Sequence, residues 1–185
     1  MKTENARQTE QAASWQICWP QQAEVSERAA ALLQTQSLTQ ALRSLGGRFS
    51  VTLRHLGEGC AGGFWPAFAA QERLFVREVH LCLDGEAVVW AQSACAADSV
   101  FWRSLLDCGT QPLGERLFDG SLNISRSPLE YVSPLPPACW PAVGNGENGS
   151  FQTAFAARRS LFAAPNGDLL GLAECFLPAL KSYLP

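Results

Sequence analysis

Residues 74–93 read LFVREVHLCLDGEAVVWAQS, two β-rich runs joined at Asp84-Gly85. An Asp-Gly pair between alternating runs is a hairpin signal, because its residues accept the positive φ of a tight turn. Counted by twos, one face of the first run carries Phe75, Arg77, Val79, Leu81 and Leu83. The other carries Val76, Glu78, His80, Cys82 and Asp84. The first set is the apolar one and should face a core. Arg77 breaks it. A guanidinium stays charged, and left unpaired in an interior it costs several kcal/mol. An anion must meet it, either a carboxylate of the protein or one belonging to a ligand.

Outward from the hairpin, the chain reads as more strands with helices set between them. SERAAALLQTQ from Ser26 predicts a helix capped by Ser26. SLTQALRSLGG predicts a second, with Ser37 as cap, Gln40 completing a capping box and Gly46 ending it. RFSVTLRHL alternates as a strand, with Phe49, Val51, Leu53 and His55 on one side. Residues 57–70 are rich in Gly and Ala and predict a loop or flap. DSVFWRSLLDCG predicts a helix from an Asp98 cap to Gly109, and QPLGERLFDG a short helix entered through Pro112. LNISRSPLEYV carries a proline and so reads as an edge or bulged strand. Residues 133–150 are rich in Pro, Gly and Asn and predict an exposed excursion. Strands over 151–163 and 169–177 flank Asn166-Gly167, a second hairpin turn. The expected fold class is α+β, with an antiparallel sheet of about six strands and helices packed on one face.

The last strand repeats the anomaly. One face of LLGLAECFLP holds Leu170, Leu172, Glu174 and Phe176. Glu174 therefore sits among large apolar side chains, as Arg77 does. The plainer expectation is a buried salt bridge between the two. The sharper one is a shared pocket, in which Arg77 binds a carboxylate bidentately and Glu174 accepts a hydrogen bond or takes a proton. Leu38 and Leu113, each just inside a helix start, would add free backbone N–H groups that attract anions. Every helix has such a start, so this feature alone is weak.

Composition limits the alternatives. The chain has 185 residues, 47% hydrophobic and 17% charged, enough for one domain over 14–185 behind a disordered leader at 1–13. A net charge of −3 and the lack of a basic run argue against nucleic acid and against a membrane surface. The polar first residues lack a signal-peptide core, and no apolar run could span a bilayer. Seven scattered cysteines without a C-x-x-C read as reduced thiols in a cytoplasmic protein. His55 and His80 have no ligand-spaced companions, so no metal site is expected.

The segments SLTQAL, FSVTLRH, LFVREVHLCLDGEAVVWAQS, GTQPLGERLF, SRSPLE, ARRSLF and LAECFLP, in this order, resemble the chorismate lyase family of ubiquinone biosynthesis. They cover residues 37–178 apart from 57–70 and 133–150. The resemblance implies a monomeric, cofactor-free enzyme that converts chorismate to 4-hydroxybenzoate and pyruvate in a closed internal site under helical flaps. It places the family's carboxylate-binding arginine on Arg77 and its acidic residue near the product hydroxyl on Glu174. Its two backbone contacts fall on Leu38 and Leu113. Arg126, Glu130, Arg158 and Arg159 lie in matched segments and are read as surface charge or support behind the site. A competing class is a non-catalytic sensor domain of the same fold that binds a small carboxylate. The 36 residues before Ser37 are too few for the winged helix such a regulator carries.

Overall fold

The computed structural model describes residues 14–61, 63–68, 73–135, 139 and 154–185. The leader expected at 1–13 and most of the 133–150 excursion lie outside the described residues. Seven strands form one antiparallel sheet: β1 (Phe49–Gly59), β2 (Leu74–Leu83), β3 (Glu86–Ala96), β4 (Ser125–Arg126), β5 (Glu130–Val132), β6 (Ala156–Ala163) and β7 (Leu169–Phe176). Their order is β1-β2-β3-β7-β6, with β4 and β5 both pairing with the outer edge of β6. Pro128 splits the expected edge strand into these two pieces, because proline cannot donate to a ladder. The β2–β3 turn takes positive φ at both Asp84 and Gly85, the backbone that the sequence demands there.

Two short α-helices precede β1, α1 (Glu27–Leu33) and α2 (Leu38–Arg43), and two lie between β3 and β4, α3 (Val100–Leu106) and α4 (Leu113–Leu117). Ser26 Oγ accepts the Ala29 N–H and Ser37 Oγ the Gln40 N–H, so two caps stand where the sequence puts them. The α3 cap is Ser99, not Asp98. Its hydroxyl both accepts from Trp102 N–H and donates to Asp168 in the β6–β7 turn. That long-range tie decides between two competent caps. Pro112 is the cap residue of α4 rather than its first residue.

Cross-strand partners share a face, so the pairing register sorts the core. Leu33, Leu38 and Leu42 of the first two helices pack with Val79, Leu81, Val89 and Phe176. Trp102, Leu106, Leu113 and Leu117 of the last two pack with Cys95, Phe162, Leu170 and Leu172. All four helices thus cover one face of the sheet. The opposite face carries Val76, Trp90, Ala94, Ala173 and Cys175 beneath Phe64, Trp65 and Phe68. There Trp65 lies so close over Gly171 that a Cβ on the glycine would stand 2.5 Å from the indole.

Two expectations for β1 change. The strand runs on to Gly59, into the expected loop. A bulge between Leu53 and His55 also shifts the register, so that Leu53 opposes Val79 but His55 opposes Glu78. His55 therefore leaves the face of Phe49, Val51 and Leu53.

Candidate active site

On the helical face, the two apolar clusters are separated by a polar belt. One cross-strand row runs Arg77, Ser93, Leu172, Ser160, and the next runs Val79, Ala91, Glu174, Arg158. Above the belt sit the starts of α2 and α4, and between sheet and helices lies a narrow, partly open cavity of about 30 Å³. The lining includes Arg77, Glu174, Leu38 and Leu113, the four residues singled out from the sequence, together with Arg126 and Arg158. Thr39 and Gly114 close the roof between α2 and α4. A Cβ added at Gly114 would come within 3.3 Å of Thr39 Oγ1.

Arg77 and Glu174 do not pair with each other. Glu174 is opposed on the adjacent strand by Arg158, whose Nε donates to its Oε2 at 2.6 Å. Arg77 sits two strands away and one row along, about 12 Å at Cα. The cross-strand neighbour wins. Arg158 is only 1% exposed, and its Nη1 also donates to the Leu33 and Thr35 carbonyls at the end of α1. The assignment of Arg158 to the surface or to support behind the site is therefore corrected: it is buried and lines the cavity.

Arg77, 2% exposed, donates through Nη2 to the carbonyls of Gly109 and Gln111, in the loop leading into α4. Its Nε is buried with no partner among the described residues. Burial holds its pKa below the usual arginine value, opposed only by the nearby Cys108. Carbonyl dipoles hold this cation, and among the described residues no carboxylate neutralises it.

Arg126 is the second residue that sequence reading missed. It reaches in from β4, donating through Nε to Ser160 Oγ and through Nη1 to the carbonyl and side-chain oxygens of Gln36. Its guanidinium lies 5.1 Å from the ring centres of both Phe118 and Phe162. Burial pushes its pKa down to about 10, still well above neutrality, so the group stays charged. A two-residue strand has too little alternation to reveal which way its arginine points. Arg159, by contrast, belongs to the far face, where it pairs with Glu130 and lies 4.3 Å over the Trp15 ring. Glu130 and Arg159 stand apart from the cavity.

Among the described residues, three guanidiniums therefore face the cavity against one carboxylate, leaving two surplus positive charges. The Leu38 and Leu113 N–H groups have no hydrogen-bond partner among the described residues, and both belong to cavity-lining residues. The donors suit an acidic small molecule. No described group of three or more His, Cys, Asp or Glu could hold a metal ion.

No family model matches the chain. It is 33% identical over 154 residues to the probable chorismate pyruvate-lyase 1 of Burkholderia pseudomallei, covering 79% of this chain and 80% of that protein. The chain belongs to the chorismate pyruvate-lyase family. It is also 33% identical over 165 residues to the probable chorismate pyruvate-lyase of Psychromonas ingrahamii, covering 83% and 84% of the two chains. A third relative of the same name, from Albidiferax ferrireducens, is 34% identical over 147 residues, or 74% of each. Like the expected family fold, the sheet is antiparallel with helices on one face. No described helix is long and apolar enough to cross a membrane.

Proposed function

We propose that this chain is a chorismate pyruvate-lyase that converts chorismate to 4-hydroxybenzoate and pyruvate, feeding ubiquinone synthesis. The observation that carries the reading is the cavity's two surplus positive charges, which suit a substrate with two carboxylates. The relatives' names and the matched segments support the same substrate. In this reading the chain acts as a cytoplasmic monomer without a cofactor.

The chemistry needs orientation more than reagents. The electron pair of the ring C4–H bond becomes the C3=C4 double bond, and the C3–O pair leaves with enolpyruvate. One proton leaves the ring, one is taken up as enolpyruvate ketonises, and aromatisation drives the elimination. Arg77 anchors the ring carboxylate through its Nε, which has no partner among the described residues, at a buried position where a fixed cation acts strongly. The Leu38 and Leu113 N–H groups add donors from the roof. Glu174 accepts from the ring hydroxyl through Oε1, which takes no hydrogen bond from any described residue, while Arg158 fixes its Oε2. Taking a proton would cost Glu174 that ion pair, so orientation of the hydroxyl is its assigned role.

The test is incubation of purified protein with chorismate, following 4-hydroxybenzoate by absorbance and pyruvate by a coupled reductase. Equimolar formation of both is expected. Binding without turnover would move the chain to the sensor class, and neither binding nor turnover would overturn the substrate assignment.

A further inference from the structure

Not every buried donor around the cavity is matched. Arg158 spends Nε and Nη1 on Glu174, Leu33 and Thr35. Among the described residues, two guanidinium nitrogens are buried with no partner: Nε of Arg77 and Nη2 of Arg126. A buried N–H left unmatched forfeits on the order of 1–3 kcal/mol, more when charged, so two such groups facing one cavity mark two places for acceptors.

They enter the cavity from different sides. Arg77 stands at one end of the row Arg77, Ser93, Leu172, Ser160, and Arg126 is hydrogen-bonded to Ser160 at the other end. Three strand spacings separate the ends, about 14 Å at Cα. Arg126 itself stands one strand further out, on β4 opposite Phe162, and its side chain reaches back to Ser160, so the two arginines line the same cavity from opposite ends. Arg126 is also immobilised, by Ser160, by Gln36 and by the rings of Phe118 and Phe162. Little rotamer entropy remains to be lost when its free N–H takes a partner.

Resting on the proposed lyase reading, we propose that Arg126 holds the carboxylate that departs with the enolpyruvyl group. Substrate carries two carboxylates and the aromatic product one. Arg77 keeps the carboxylate that stays on the ring. Arg126 binds the one that leaves, and so touches substrate but not 4-hydroxybenzoate. As the C3–O bond breaks, its electron pair enters a fragment that already bears this carboxylate, and the fixed guanidinium offsets the growing negative charge. Arg126 is thereby a substrate-discriminating residue, separate from the groups that hold the product.

The experiment compares wild type, Arg126→Gln and Arg126→Lys, measuring KM and kcat for chorismate, Ki for 4-hydroxybenzoate and thermal melting. Arg126→Gln should raise KM roughly 10- to 100-fold, the range of a lost charge-assisted hydrogen bond, with Ki for the product within about twofold. Lysine keeps the charge but not the fork, and should recover part of the loss. Parallel rises in KM and Ki, or no rise in KM, would reduce Arg126 to a structural role. If Arg126→Gln does not fold, the lysine variant decides by the same comparison: KM raised at constant Ki supports the assignment, and unchanged KM overturns it. Wild-type protein that leaves chorismate intact overturns the lyase reading and this assignment together. Wild-type turnover with a failed KM-against-Ki comparison overturns this assignment alone.

Discussion

Glu174→Gln separates the structural and chemical roles of one carboxylate. Glutamine keeps the volume and one acceptor oxygen but loses the charge. Arg158 is 1% exposed, and Glu174, 2.6 Å away, is its ion-pair partner. Removing one member of a buried pair costs about 3–5 kcal/mol, because the other charge is left uncompensated. A glutamine oxygen still accepts from Arg158 Nε, and a hydrogen bond to a charged donor is worth about 1.5–3 kcal/mol. The net loss is therefore about 1–3 kcal/mol, within the total stability of a typical domain. For a chain of this size that lowers Tm by roughly 2–4 °C per kcal/mol. Thermal melting checks this part, and an unchanged Tm would refute the claim that Glu174 compensates Arg158. Rapid-quench single turnover checks the chemistry, free of any slow product release. If Glu174 orients the hydroxyl, the conversion rate should fall about tenfold or less, since an acceptor remains. A drop of about 100- to 10,000-fold in folded protein is the signature of a lost general base and would refute the orienting role.

Three further outcomes are expected. Arg77→Met should raise both KM for chorismate and Ki for 4-hydroxybenzoate by about tenfold or more, because both ligands carry the ring carboxylate; inhibition assays on the folded variant check it. Gly171→Ala forces a methyl group against the Trp65 indole and should cost about 1–3 kcal/mol in denaturant melts, with kcat unchanged, since the clash lies on the face away from the cavity. Activity should survive prolonged dialysis against a chelator. Loss restored by a divalent ion would show that the guanidiniums and the Glu174 carboxylate are not sufficient.

What the sequence shows well is whatever alternation exposes. Arg77 and Glu174 interrupt runs of large apolar residues in long strands, so both stand out before any pairing is known. The hairpin turn at Asp84-Gly85 is equally local. The partner of Glu174 is not legible, because it depends on register: β6 slides Arg158 opposite Glu174, while Arg77 lies two strands off. The adjacent arginines 158 and 159 hold a missed cue. On an interior strand they must point to opposite faces, and both cannot reach water. Arg126 stays hidden in its two-residue strand, and His55 is misplaced by a bulge that no residue type announces. The α3 cap turns on Asp168, 69 residues from Ser99 along the chain.

The arginines of the belt also hold the chain between α1 and α2. Arg158 takes the carbonyls of Leu33 and Thr35, and Arg126 takes that of Gln36. A cation at the C-terminal end of α1 satisfies carbonyls that the helix cannot satisfy itself. Residues 33–36 are thus fastened by the same side chains that face the cavity. An anion that engages those guanidiniums should tighten or loosen this backbone. Amide hydrogen exchange at residues 33–38 becomes a gauge of occupancy, readable without labelling the ligand. A slowing there on adding 4-hydroxybenzoate, with β1 and β2 unchanged, would trace the coupling through Arg158.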